Sequence, residues 1–489
     1  MADGVYMIAT GFNIHYPASR IMISASLKRN YRMDGSIIRD RCCFFAIKYF
    51  MMKNLSLVVL VLLIISCNEK KKDKRPSAEF NALAEQYVRL GLEIGEYDAD
   101  FVDAYYGPDS LKPTTAKLPV FPKDSLLSKT DQLINDLKQF KTTDKSDTLN
   151  IRATWISDQL TAFRRRIRIF SGETASFDDE SKDLFGVMAP SHDEHYFKAL
   201  VAKLDSSLPG KGTIAERFQS MANHFIIPKD KLDTVFKAAI AESRRRTLVH
   251  YSLPANENFS LEFLTDKPWS GYNWYKGNYQ SQIQINTDLQ IFVERAIDVA
   301  SHESYPGHHV YNMLLEKNLY RDRGWVEISL YPLFSPQSLI AEGSANYGIE
   351  VAFPGKEKNK FAKEVLLPLA GLDTTGLDTY FDALALKSSL AFVRNEVALG
   401  LINKTMDEKE ALRWLMEYGL SNEETAKKSI SFINKYRSYV INYNYGQQLV
   451  KEYIDAKGGT ANALNRRWEL FGELLSNEIT ANDLLNKGK

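Results

Sequence analysis

Ten residues hold most of the chain's usable chemistry: Ala300-Ser301-His302-Glu303-Ser304-Tyr305-Pro306-Gly307-His308-His309. Three of the eight histidines of this 489-residue chain fall here. A metalloprotease helix carries histidines at i and i+4, with a glutamate at i+1 as base. Here position i+4 is Pro306, and the next histidine is His308, at i+6. On an unbroken helix six residues turn through about 600°, which leaves His308 about 120° round from His302. Pro306 has no N–H to return to the His302 carbonyl, and Gly307 permits unusual dihedrals. A local bulge at this pair is expected to absorb two residues and restore His308 to the face of His302. His309 is the competitor: at i+7 it shares that face, about 10 Å further along the axis. Spacing alone leaves two readings open, a metal site or a surface His-Glu pair whose neighbouring histidines cap the helix.

A hydrolytic zinc site uses three protein ligands and an open position for water. Residues 334–350 read FSPQSLIAEGSANYGIE. Ser335 suits an N-cap and Pro336 the first helical position, which puts Glu342 mid-helix. The expected set is His302, His308 and Glu342 on the metal, with Glu303 as general base. Imidazole and carboxylate suit zinc; cobalt, manganese and iron are the other candidates. An oxyanion needs a donor, for which Tyr443, Tyr445 and Arg394 qualify by type and by their late position in the chain. His192 and His195, in SHDEH, read as a solvated loop, with a second metal site as the alternative. Arg164–Arg166 and Arg244–Arg246 read as exposed helix faces, with a clamp for a substrate carboxylate as the alternative.

The elements that must position these residues are mostly helices. Apolar residues recur at three- and four-residue spacing from residue 80 and around 126–140, 151–170, 235–249, 381–401 and 426–440. One strand pair is expected before residue 288. Gln282-Ile283-Gln284-Ile285 alternates with period two, Gly277-Asn278 is the candidate turn, and Thr287-Asp288 offers the N-cap of the histidine helix. Such an edge could receive an extended peptide through main-chain hydrogen bonds.

The N-terminus reads as an address. Residues 52–67, MKNLSLVVLVLLIISC, have a basic start and an apolar run too short to span a bilayer, ending at Cys67. Ile64-Ile65-Ser66-Cys67 resembles a bacterial lipobox, in which cleavage precedes a cysteine that then carries lipid. The expected division is 1–51, an extension ahead of the signal; 52–66, signal peptide; 67–78, lipidated Cys67 and polar tether; 79–489, one helical domain. An upstream gene start accounts for 1–51, and the alternative is a real segment that would hide the signal. Of the three cysteines, Cys42, Cys43 and Cys67, none lies beyond residue 67, so any metal in the body must be held by His, Asp or Glu. The full chain has 62 basic and 61 acidic side chains. Removing residues 1–66 takes away eight basic and three acidic ones, turning the formal charge from +1 to −4. Neither value gives a reason to expect a nucleic-acid partner.

Five segments together resemble the bacterial domain-of-unknown-function 885 family, a zincin-like group regarded as metallopeptidases. They are Val102-Asp103-Ala104-Tyr105-Tyr106-Gly107-Pro108, DKPWSGYNWY at 266–275, HESYPGHH at 302–309, LFSPQSLIAEG at 333–343 and Tyr445-Gly446-Gln447-Gln448. The resemblance spans roughly residues 78–475, and HExxPGHH is its most specific part. It implies His308 rather than His309 as ligand, and Glu342 as the third. It implies a mainly α fold: a large helical zincin-like domain of gluzincin type, with a small β-edge or hairpin beside the active-site helix. The chain departs from the family at Tyr445, where Pro is usual, and at Ser344, where Trp or Ile is usual.

The expected protein is thus a lipid-anchored zinc metallopeptidase of the cell envelope, trimming or cutting short peptides. Two alternatives remain: a non-catalytic glycan or peptide binder using Trp269, Tyr272 and Trp274, and a metal-dependent amidase on cell-wall peptides. His309 joins Tyr445 and Arg394 as a candidate for substrate contact.

Overall fold

Apolar residues at helical spacing must bury one face, and here they do so against one another. The computed structural model describes residues 74–144, 146–267 and 269–487. The expected signal peptide, Cys67 and the start of the tether lie outside the described residues. Helix α1 spans Lys74–Gly95, so the last five residues assigned to the tether are already helical. Then follow α2 (Lys123–Leu137), α3 (Thr148–Phe170) and α4 (Leu232–Leu248), as the periodicity predicts. The stretch 381–401 folds as α8 (Leu377–Ser388), a 3-10 turn at Ser389–Phe392 and α9 (Val393–Ile402). The stretch 426–440 becomes α10 (Glu423–Tyr436) and a 3-10 turn at Arg437–Val440, which feeds α11 (Ile441–Ala456). No described helix is long and apolar enough to cross a membrane.

The elements nearest the histidines are α5 (Val293–Glu303), α6 (His308–Leu315) and α7 (Pro336–Ala352). Helix α7 is buried along nearly its whole length, and its small and apolar residues let neighbours approach on every side. Ser335 and Pro336 take the expected N-cap and first-turn places. The Ser335 hydroxyl, however, donates back to the Pro332 carbonyl at 2.7 Å rather than capping the helix.

The strand region is larger than expected. Strands β2 (Asn258–Leu264), β3 (Gly271–Gly277) and β4 (Gln280–Asn286) form a sheet in the order β2-β4-β3. β3 and β4 are the expected hairpin, but its two-residue turn is Asn278-Tyr279, one position on. Both residues take positive φ, 53° and 63°, while Gly277 ends β3 at a bulge. β2 pairs in parallel with β4, so the strand that leads toward the helix is central and not an edge. The edge nearest the histidines is β3. Helix α5 also starts later than Thr287-Asp288: Phe292 occupies the N-cap, and the Asp288 carboxylate instead accepts the Asp266 N–H at 3.1 Å. A second, two-stranded ribbon pairs β1 (Val102–Tyr105) with β5 (Leu330–Pro332). Its register slips between Val102 and Ala104, leaving Asp103 as the bulged residue.

Candidate metal centre

Helix α5 ends at Glu303 and α6 begins at His308, with Ser304 to Gly307 between. The expected bulge inside one helix is therefore a break between two. Gly307 makes the break tight: its N–H donates to the Ser301 carbonyl at 3.0 Å. A Cβ at that position would lie 1.9 Å from the His302 carbonyl oxygen, so only glycine fits. The outcome for the rings is the expected one, since Nε2 of His302 and Nε2 of His308 stand 3.1 Å apart.

Glu342 arrives from α7. Its Oε2 lies 3.3 Å from His302 Nε2 and 3.6 Å from His308 Nε2. That oxygen is buried and has no hydrogen-bond partner. Two nitrogens bound to one zinc at about 2.0–2.1 Å, at the tetrahedral angle, stand roughly 3.3–3.4 Å apart. The three observed separations bracket this edge, and the three residues form the one metal-competent group found among the described residues. The donor set therefore fits an ion of that size.

The neighbours hold these donors in place. Asn346, one turn after Glu342, sets its Oδ1 3.0 Å from His302 Nδ1, and its Nδ2 donates to the Tyr443 carbonyl at 2.8 Å. The second bond fixes the amide orientation, which assigns the His302 proton to Nδ1 and leaves Nε2 as a lone pair. The Tyr439 hydroxyl donates to Glu342 Oε1 at 2.9 Å, leaving Oε2 free. Burial disfavours a charged carboxylate at Glu342, but His308 and His302 hold it well below the usual range. Burial likewise disfavours a charged His308 ring. The carboxylates of Glu342, Glu303 and Asp103 outweigh it and raise the ring to about 9.

These residues line a cavity of about 920 Å³. Glu303 lines it too, and its carboxylate has no hydrogen bond from the described residues. Burial raises that carboxyl above its ordinary value, against the pull of His302 and His308. Its backbone is pinned by Asn273, whose Nδ2 donates to the Glu303 carbonyl at 2.6 Å. Asp103, aimed inward by its bulge, accepts a hydrogen bond from the Tyr272 hydroxyl. Burial pushes its carboxyl up to about 6 despite that bond. Asp103, Asn346 and Tyr439 were not singled out as site residues in the sequence. Asn346 carried a usable signal, at i+4 from Glu342; an inward bulge carries none.

Other expected site residues lie elsewhere. His309 is fully buried outside the cavity: Nδ1 is 2.8 Å from Ser281 Oγ and Nε2 is 3.2 Å from Glu257 Oε2. It ties α6 to the sheet and is not placed to touch substrate. Tyr445 does not line the cavity, whereas Tyr443 does. Two residues on a helix turn the side chain through about 200°, and the face of α11 that lines the cavity carries Tyr443, Asn444, Gln447, Gln448 and Lys451. Arg394 lines the cavity. His192 stacks on Tyr196 with ring centres 4.2 Å apart, and Asp193 caps the helix that Glu194 begins. The two arginine runs are paired internally: Arg164, Arg165 and Arg166 with Asp131, Asp183 and Asp98, and Arg244, Arg245 and Arg246 with Glu257 and Glu242. Arg166 is buried rather than exposed, and no member of either run is free to clamp a ligand. Trp269 and Tyr272 border the cavity with ring centres 5.5 Å apart, but Trp274 does not line it.

The chain matches no protein-family model and no curated protein. Among solved structures it is similar to a Colwellia psychrerythraea protein designated a lipoprotein, at 16% identity and TM-score 0.47, over 74% of this chain and 66% of that one. It is similar to Trypanosoma cruzi metallocarboxypeptidase 1, at 10% identity and TM-score 0.45, over 85% and 95%. It is also similar to the M32 carboxypeptidase of Deinococcus radiodurans R1, at 11% identity and TM-score 0.37, over 84% and 94%. This chain spans just under two thirds of the Colwellia chain, and these scores are too low to carry an activity across.

Proposed function

We propose that the protein is a zinc metallopeptidase of the domain-of-unknown-function 885 kind, carried on the cell envelope by lipid at Cys67. The observation that carries this reading is the triangle of donor atoms from His302, His308 and Glu342, 3.1–3.6 Å on a side, opening onto the cavity that Glu303 also lines. The five segments that resemble the family support it, since Asp103, Trp269, His302, Leu333, Glu342 and Gln447 bring each of them to this one cavity.

A zinc ion held by the three ligands would lower the pKa of its water to about 7 and polarise the scissile carbonyl. Glu303 takes the proton of the attacking water and passes it to the leaving amine. Its raised pKa suits a group that must hold that proton between the two steps. The Tyr443 hydroxyl has no hydrogen-bond partner among the described residues, and it borders the same cavity. Burial raises its pKa far above the ordinary value, so it stays a neutral donor for the developing oxyanion. Ser270 and the first residues of β3, Gly271 to Asn273, line the cavity beside Glu303, which supports pairing of an extended peptide with this edge.

A peptide-library digest read by mass spectrometry tests this. The zinc-loaded wild type should cleave a subset of peptides. Glu303→Gln should keep its metal and lose about 10²–10⁴-fold in rate, the usual contribution of a general base. Equal cleavage by both proteins would remove Glu303 from this role.

A further inference from the structure

The arginines outside the two paired runs include a pair whose situation differs. Arg295 lies on α5, seven residues before His302, and Arg394 lies on α9; both line the cavity. Neither forms an ion pair with any described carboxylate, although most arginines here do. Each donates only to a hydroxyl: Arg295 Nη2 to Ser270 Oγ at 3.2 Å, and Arg394 Nη2 to Ser429 Oγ at 3.3 Å. The metal-ligand end of the cavity is acidic, with Glu303, Glu342 and Asp103 around the triangle, while Lys267, Lys428 and Lys451 line it elsewhere. The cavity thus has a polarity.

Resting on the peptidase reading, we infer that Arg295 and Arg394 receive the free C-terminal carboxylate of the substrate, so that the site trims peptides from that end. Two helical turns separate Arg295 from His302, about 10 Å along the axis. An extended peptide covers about 3.3–3.6 Å per residue. With the reach of the arginine side chain, the clamp therefore lies within one or two residues of the scissile bond. An anion that close to three carboxylates would be repelled without such a clamp, and guanidinium forks match carboxylate geometry. The reaction is hydrolysis: water supplies the new C–O bond, the C–N bond breaks, and the amine leaves with a proton. The released fragment keeps its carboxylate on the arginines. Both residues also border an adjoining cavity of about 670 Å³, which gives that fragment a way out.

The test uses peptide triplets of one sequence: free C-terminus, C-terminal amide, and amide with glutamate as the last residue. For zinc-loaded wild type, kcat/KM should be at least about a hundredfold higher for the free acid than for the plain amide, as expected of a charged group left unpaired. Arg394→Gln and Arg295→Gln should each shrink that ratio, mainly by raising KM for the free acid. Equal rates on acid and amide would overturn the clamp while leaving the peptidase reading intact. Recovery by the amide with terminal glutamate would assign the arginines to an acidic side chain and overturn the terminal reading. If no peptide is cut, the peptidase reading fails, yet calorimetry of acid against amide on zinc-loaded Glu303→Gln still decides the clamp. Tighter binding of the acid by at least about tenfold supports it, and equal binding overturns it.

Discussion

His302 and His308 meet because the chain stops being one helix between them. Their six-residue spacing fails on any continuous helix, so Pro306 and Gly307 were the legible sign that both could serve one ion. The form of the break was not legible, because it depends on the Gly307 backbone lying against the His302 carbonyl. The choice between His308 and His309 turned on Ser281 and Glu257, distant in sequence, which engage the second ring. A proton competes with the metal at His308. Although burial favours the neutral ring, its carboxylate neighbours raise it from 6.5 to about 9 in the metal-free protein. Below that value the ring must shed a proton before it can bind. Apparent zinc affinity should therefore fall as pH drops below about 9, approaching tenfold per pH unit for this one proton. Competition with a chelator across that range measures it, and a flat profile would contradict the protonated ring. The sign for stability is the opposite. A raised folded-state pKa stabilises the metal-free protein fully below about 6.5, and the contribution is lost as pH rises through about 9.

Among the elements, α7 and α11 cross where glycine meets glycine. A Cβ on Gly343 would lie 2.5 Å from the Gly446 carbonyl carbon and oxygen. The Glu-Gly of one matched segment and the Tyr-Gly-Gln of another therefore form a single contact. It places Glu342 on α7 opposite the face of α11 that lines the cavity. Gly343→Ala should cost about 1–3 kcal/mol of stability, the usual effect of overpacking a tight core. Chemical denaturation measures it, and an unchanged midpoint would mean that the crossing is looser than it looks. Helices with local periodicity were readable from sequence within a few residues. The parallel partner β2 was not, because it is joined to β4 by pairing across 22 positions rather than by a hairpin. The start of α5 was misplaced because Asp288 satisfies the Asp266 backbone instead of the helix.

For the whole molecule, the charge inventory is more informative than its near-zero sum. The runs at 164–166 and 244–246 drew notice by density, yet their carboxylate partners neutralise them. Arg295 and Arg394 stand alone in sequence and, like Arg89 and Arg323, form no ion pair among the described residues; of these four, only they line the cavity. Pairing is a property of the fold, so spacing could not show it. The cysteine inventory has a separate consequence. With no thiol beyond residue 67, the described domain depends on neither disulfide nor thiolate. Cys67→Ala should move the protein from the membrane pellet to the soluble fraction, as fractionation and blotting would show. Retention in the pellet would contradict attachment through that residue.

The most direct measurement is the zinc content per chain of protein purified without chelator, taken together for wild type, His308→Ala and His309→Ala. About one zinc per chain in wild type and His309→Ala, with loss in folded His308→Ala, is the expected result. Absence of stoichiometric metal from wild type, or its loss only in His309→Ala, would contradict the His302, His308 and Glu342 centre.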